Sequence, residues 1–232
     1  MKKEIKLIAL DLDGTLYNND GKISQKNKDA LKRARENHTA IVISTGRPYV
    51  GLPLEEMKEI GMEYAITANG AAVYHIPDKK CLYEDAITAN EGAALLRKLF
   101  QHTFHLDAFI NGSAYTQAST RPLIDRLQIP VSLRAYIKNT RNIVDDLADF
   151  VSSNNLSIQK LTLNFIRDKD GVLIDRAKIA ALLDEYSGFH YLSGGFENLE
   201  INKAGVSKAK GLRFLCDALN IPLSQTLACG DS

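Results

Sequence analysis

The sequence predicts an α/β fold, a parallel-sheet core into which a second, α+β domain is inserted. Three observations carry that expectation: short apolar runs alternating with amphipathic stretches at the start of the chain, a change of pattern from about residue 85 to residue 195, and a return of the first rhythm afterwards. Short, continuously apolar strands are what a parallel sheet covered on both faces requires.

The elements follow in order. Leu7 to Leu10 is the first such run, and Asp13-Gly14-Thr15 behind it is turn chemistry. Ser24 is placed to cap a helix over Gln25 to Asn37, with Ala30, Leu31 and Ala34 on one face. Ala40 to Ile43 is a second strand, ending at Ser44-Thr45-Gly46-Arg47-Pro48, and the helix over Leu54 to Ile60 stops at Gly61. Tyr64 to Thr67 is a third, ending at Asn69-Gly70. Ala72 to Ile76 and Cys81 to Glu84 then flank Pro77-Asp78-Lys79-Lys80 as a hairpin would. Within residues 85–194 the expectation is a helix over Ala89 to Gln101, strands at His105 to Ile110 and Ser113 to Gln117, and helices near Pro122 and Asp145. A strand over Ile158 to Ile166 and a helix over Ile174 to Tyr186 complete that stretch. After it, Leu199 to Ile201 reads as a core strand, Ser207 to Leu219 as a helix closed before Pro222, and Thr226 to Cys229 as a last strand. The domains expected are therefore 1–84 with 195–232, and 85–194, joined by short turns that permit hinge motion.

Composition narrows the function. Lys and Arg number 29 against 28 Asp and Glu, a formal charge of +1, so no long-range field draws nucleic acid or an anionic membrane. The three cysteines, Cys81, Cys216 and Cys229, are widely spaced and form no Cys-x-x-Cys pair, which argues against a disulfide framework or a zinc site. The apolar stretch behind Lys2 and Lys3 is interrupted by Glu4 and Lys6, too short for a signal peptide, and no stretch would span a bilayer. The expectation is a cytoplasmic protein with neither nucleic-acid nor membrane partner.

Polar residues recur at one kind of place: Asp11 after the first strand, Thr45 after the second, Asn69 after the third, Asp231 after the last. Each taken singly is an ordinary turn residue or N-cap. Together they point at the rim outside the carboxyl ends of the strands, where open parallel sheets bind ligands. Asp11 and Asp13, two apart before a glycine turn, make a hard-oxygen site suited to Mg²⁺. An EF-hand loop does not fit, because its sixth position is Leu16 and its twelfth Lys22, and no Walker phosphate loop is present.

With Asp11-Leu12-Asp13-Gly14-Thr15 in this strand context, the chain resembles the haloacid dehalogenase superfamily, whose core is Rossmann-like, and the resemblance runs the length of the sequence. It implies Asp11 as the nucleophile that takes the phosphoryl group and Asp13 as general acid, then base. It implies phosphate contacts from Leu12, Thr45, Gly46, Arg47 and Lys208, the last matched by Gly205-Val206-Ser207-Lys208 with Ala209 where relatives usually carry Gly. Mg²⁺ would be held by Asp11, the Asp13 main-chain carbonyl and Asp231. The Thr-Gly-Arg-Pro stretch, the Asn69-Gly70-Ala71 turn and the large insert resemble the Cof-type subfamily, in which a C2B cap closes over small phosphorylated metabolites such as sugar phosphates. The function this implies is a Mg²⁺-dependent phosphatase working through an aspartyl-phosphate. The family's fourth motif continues past Gly-Asp, whereas this sequence ends at Ser232, so the reading includes a truncated metal site. A protein that binds phosphorylated metabolites with little turnover is the alternative.

Overall fold

The computed structural model describes residues 4–18 and 20–231, which form two compact units. One comprises the residues up to Glu84 together with those from Val206 onward, and the other spans Asp85–Gly205.

In the first unit, strands β1 (Leu7–Leu10), β2 (Ala40–Ser44) and β3 (Tyr64–Thr67) run parallel, and the hairpin β4 (Ala72–His75) and β5 (Lys80–Glu84) continues the sheet antiparallel. The strand Thr226–Cys229, here β12, pairs parallel with β1 on its other side, giving the order β12-β1-β2-β3-β4-β5. Helices α1 (Gln25–Glu36) and α2 (Leu54–Ile60) link the parallel strands. Ser24 caps α1 by accepting from the Asn27 amide, and Gly61 ends α2 in the left-handed region. One cluster of apolar side chains joins Leu10, Leu12, Ile41, Ile43, Met57 and Ile60. A second joins Leu7, Ala9, Val42 and Ile66 to Leu215 and Cys216 of the helix Lys208–Ala218. The central strands are thus apolar on both faces, which is why their sequence reads as unbroken runs.

The second unit is built on a separate six-stranded sheet containing β6 (His105–Ile110), β7 (Ser113–Gln117), β8 (Asn142–Val144), β9 (Lys160–Asn164), β10 (Phe189–Ser193) and β11 (Leu199–Lys203), in the order β10-β11-β9-β6-β7-β8. One face packs helices α3 (Ala89–Leu99), α5 (Leu147–Ser153) and α6 (Arg176–Asp184) through Leu96, Leu99, Val151, Ile179 and Leu183. Helix α4 (Val131–Thr140) and the strands β8 and β10 were not expected from the sequence. The stretch around Pro122 is a 3₁₀ run, Ala118–Arg126. Leu199 to Ile201, expected in the core sheet, belongs here instead: β11 pairs antiparallel with β9 and β10 and buries Leu199 and Ile201 in this unit. Its alternation suits any half-buried strand and carries no information on which sheet accepts it. The second unit therefore runs to Gly205, beyond the expected boundary at residue 194. No helix among the described residues is long and apolar enough to cross a membrane.

The opposite face of this sheet buries polar groups, among them His105, which has no solvent exposure. Its Nε2 lies 3.3 Å from the Thr116 hydroxyl, which donates to the Leu106 carbonyl, and its Nδ1 lies 3.5 Å from the Asn164 amide nitrogen. Those contacts suit a neutral ring protonated on Nε2. Burial pushes the His105 pKa down; Asp107 opposes the shift and Arg141 adds to it. Because the unfolded chain takes up this proton near 6.5 and the folded chain resists it, stability is full above that pH and declines as pH falls below it. A single such proton gives a slope of at most about 1.4 kcal/mol per pH unit. Denaturant titrations at pH 7.5 and 5.5 are expected to show a larger loss in the wild type than in His105→Gln. Equal losses would remove His105 as the cause.

Candidate active site

The carboxyl end of β1 delivers Asp11. Its amide donates to the Cys229 carbonyl at 2.9 Å, so the residue is still tied to β12 as the chain leaves the sheet. The carboxylate is nearly buried, and both oxygens are engaged: Oδ1 accepts from the Leu12 amide at 2.7 Å and Oδ2 from Lys208 Nζ at 2.6 Å. Charge-assisted contacts of this length fix the side chain as well as compensate its burial.

The next residues make one wide turn, with the Leu16 amide donating to Asp11 O at 3.2 Å and the Tyr17 amide to Leu12 O at 2.9 Å. Gly14 has φ +77°, and a Cβ there would overlap the Asp231 carboxylate. The missing side chain is what admits Asp231 to this loop. Asp11, the Asp13 main chain and Asp231 thus come from adjoining chain ends of β1 and β12. Asp13 itself is exposed, and its carboxylate is clasped by Arg47, with Nε donating to Oδ2 at 2.8 Å and Nη2 to Oδ1 at 2.6 Å.

At the end of β2, Thr45 is buried. Its amide donates to Ile66 O at 2.9 Å, its hydroxyl accepts from the Arg47 amide at 3.2 Å, and its carbonyl accepts from the Asn69 amide at 3.2 Å. Gly46 sits between Thr45 and Arg47 in this turn. At the end of β3, Asn69 (φ 63°) and Gly70 (φ +99°) adopt left-handed conformations and bring the main chain against the start of α7 (Lys208–Ala218). A Cβ on Gly70 would overlap the Ser207 carbonyl, and one on Gly211 would stand 2.8 Å from an Ile66 methyl. Ser207 caps the helix by accepting from the Lys210 amide. This close seating is what lets Lys208, in the first turn, reach Asp11.

The candidates therefore fall into one loop cluster within the first unit. Lys208 pairs with Asp11, whereas Lys203, five residues earlier, pairs with Asp85 in the second unit at 2.7 Å. Arg47, taken from the sequence as a phosphate contact, has its guanidinium on Asp13. The sequence offers no signal for that choice of anion, because the partners lie 34 residues apart. No group of three or more His, Cys, Asp or Glu side chains among the described residues is gathered to hold a metal. The donors expected from the sequence at this loop, the Asp11 and Asp231 carboxylates and the Asp13 main-chain carbonyl, are all hard oxygens; a cation held by them would keep water in its remaining positions, as Mg²⁺ does. A cavity of about 180 Å³ nearby, lined by Leu10, Thr15, Leu16, Asn27, Ala30 and Leu31, is largely apolar and includes none of the strand-end polar groups.

A family model described as haloacid dehalogenase-like hydrolase matches residues 8–232. Phosphatase YwpJ of Bacillus subtilis (strain 168) is 29% identical, over 98% of this chain and 84% of its own. The 5-amino-6-(5-phospho-D-ribitylamino)uracil phosphatase YitU of the same organism is 27% identical, over 97% and 79%. A solved haloacid dehalogenase-like hydrolase from B. subtilis matches with a TM-score of 0.79 at 24% identity, covering 98% of this chain and 84% of that one, a likeness of fold.

Proposed function

The chain belongs to the haloacid dehalogenase-like hydrolases, and from that membership we propose that it is a phosphatase of small phosphorylated metabolites that forms an aspartyl-phosphate on Asp11. The observation that carries the reading is the Asp11 carboxylate, held at a strand end by the Leu12 amide and Lys208 with a second carboxylate two residues on.

In the first step an Asp11 oxygen attacks phosphorus, the bond to the ester oxygen breaks, and protonated Asp13 gives its proton to that oxygen. In the second step Asp13, now a carboxylate, takes a proton from water, whose oxygen attacks phosphorus and releases Asp11 as a carboxylate. One group serves as acid and then base because the second displacement reverses the first. Lys208, in the first turn of α7, offsets the negative charge that a phosphate brings to Asp11, and the Thr45 hydroxyl with the Gly46 amide would donate to the phosphate oxygens. Asp11, the Asp13 carbonyl and Asp231 would hold Mg²⁺, which when bound supplies charge neutralisation between an anionic nucleophile and an anionic ester. The cap expected from the family resemblance at residues 85–194 would lie within the second unit, Asp85–Gly205, and leaving-group selection would fall to that unit.

The test is phosphate release, with Mg²⁺ present, from a panel of sugar phosphates and phosphorylated pyrimidine-ribityl compounds, the latter chosen because a relative is named for one. Release from a subset of the panel supports the reading. Folded protein that binds these esters and releases no phosphate would overturn it in favour of a binding protein.

A further inference from the structure

We infer that Arg47 is a positioning residue that aims the Asp13 carboxylate, an assignment that rests on the phosphatase reading above. Arg47 is anchored at every level. Its amide donates to the Thr45 hydroxyl, its carbonyl accepts from the Ala68 amide at 2.9 Å, and its Nη1 donates to Gly51 O at 3.3 Å. The guanidinium carbon lies 5.3 Å from the centre of the Tyr17 ring, so the group is held over an aromatic face as well as by its donors. From that seat Nε and Nη2 engage both oxygens of Asp13 at 2.8 and 2.6 Å.

A two-point contact of this kind fixes the plane of the carboxylate, not merely its distance. Asp13 needs such a device. Its side chain is 58% exposed and sits in a turn, so water would otherwise let it sample several rotamers, whereas proton transfer demands one within hydrogen-bonding reach of the ester oxygen. Stability is a weak reason for the pair, because solvent around a carboxylate this exposed screens most of its attraction to Arg47. A phosphate-binding role does not explain it either, since the fork that would grip phosphate is already spent on Asp13 and two further anchors.

The experiment compares wild type, Arg47→Ala, Arg47→Lys, Asp13→Asn and the double variant Arg47→Ala/Asp13→Asn, using an alkyl phosphate that the wild type hydrolyses and p-nitrophenyl phosphate, with inorganic phosphate as competitive inhibitor. For the alkyl ester, whose leaving group needs a proton, Arg47→Ala is expected to lower kcat/KM by about 100-fold. Arg47→Lys should recover little of it, because a lysine cannot form the fork. For the nitrophenyl ester, whose leaving group departs as an anion, the loss should shrink to a few-fold. The inhibition constant for phosphate should stay nearly unchanged, and adding Arg47→Ala to Asp13→Asn should cost nothing further. A phosphate inhibition constant that rises along with KM, or losses that multiply in the double variant, would overturn the inference and leave the phosphatase reading intact. A wild type without turnover, or an Asp13→Asn variant as active as wild type on the alkyl ester, would overturn the reading and the inference with it.

Discussion

Asp11→Asn is expected to lower phosphate release by on the order of 10⁶-fold, the scale seen when a covalent nucleophile is removed. The substitution is nearly isosteric, so the contact from the Leu12 amide to the side-chain oxygen survives while the anionic oxygen proposed to attack phosphorus is gone. Lys208 loses its ion-pair partner but remains half-exposed, so it can turn to water, and the fold should persist by circular dichroism. Stripping the wild type of divalent cations with a chelator is expected to bring release to a similar floor, and adding back Mg²⁺ should restore it only when Asp11 is present. A folded Asp11→Asn protein that retains a substantial part of wild-type turnover would remove Asp11 as nucleophile. Turnover unaffected by chelation would remove the metal.

Gly70→Ala is expected to be the most damaging single methyl in the first unit. Two costs combine there. At φ +99° any residue with a Cβ is strained, and that Cβ would overlap the Ser207 main-chain carbonyl, which no side-chain rotation can relieve. Together they amount to about 4 kcal/mol, or a fall of about 8–16 °C in Tm for a chain of this size. Gly21→Ala is the matched control, because Gly21 also has positive φ (+69°) but nothing within 4 Å of the added carbon; its cost should be about 1 kcal/mol. Thermal melts of the two variants separate strain from overlap. Equal losses would show that the approach of α7 to the β3 turn yields easily. If the loss is as large as expected, Gly70→Ala should also impair turnover, since Lys208 reaches Asp11 only from that seat.

Much of this was legible in the sequence, for reasons that differ by element. The strands β1, β2 and β3 are buried on both faces and appear as apolar runs, and α1, α2 and α7 announce themselves through Ser24, Gly61 and Ser207. The elements that escaped have weak signatures. In α4 only Ile137 is buried, so no apolar stripe marks it; β8 has three residues, two of them exposed; β10 is at most half-buried. β11 was visible as a strand, but the sheet it joins is decided by its partners Leu161 to Leu163 in β9. The site shows the same division. Strand-end position singled out Asp11, Thr45 and Asp231 because topology carries all such ends to one rim. What each charged side chain holds is a tertiary matter: nothing local distinguishes an arginine that grips a phosphate from one that grips Asp13.

The ion pair between Lys208 and Asp11 joins residues 197 positions apart, with the whole of the second unit between them in the chain. During synthesis Asp11 therefore leaves the ribosome long before its counter-ion does, and before β12 can flank β1. The continuous second unit can complete its own hydrophobic core first, while the earlier segment waits as an unfinished sheet with one side of β1 open. Closing so long a loop is slow but adds only modestly to the entropic cost of folding. The nascent protein thus acquires Asp11 early and the residues that surround it late, so a ribosome-bound fragment ending short of α7 holds Asp11 without the lysine that steadies it.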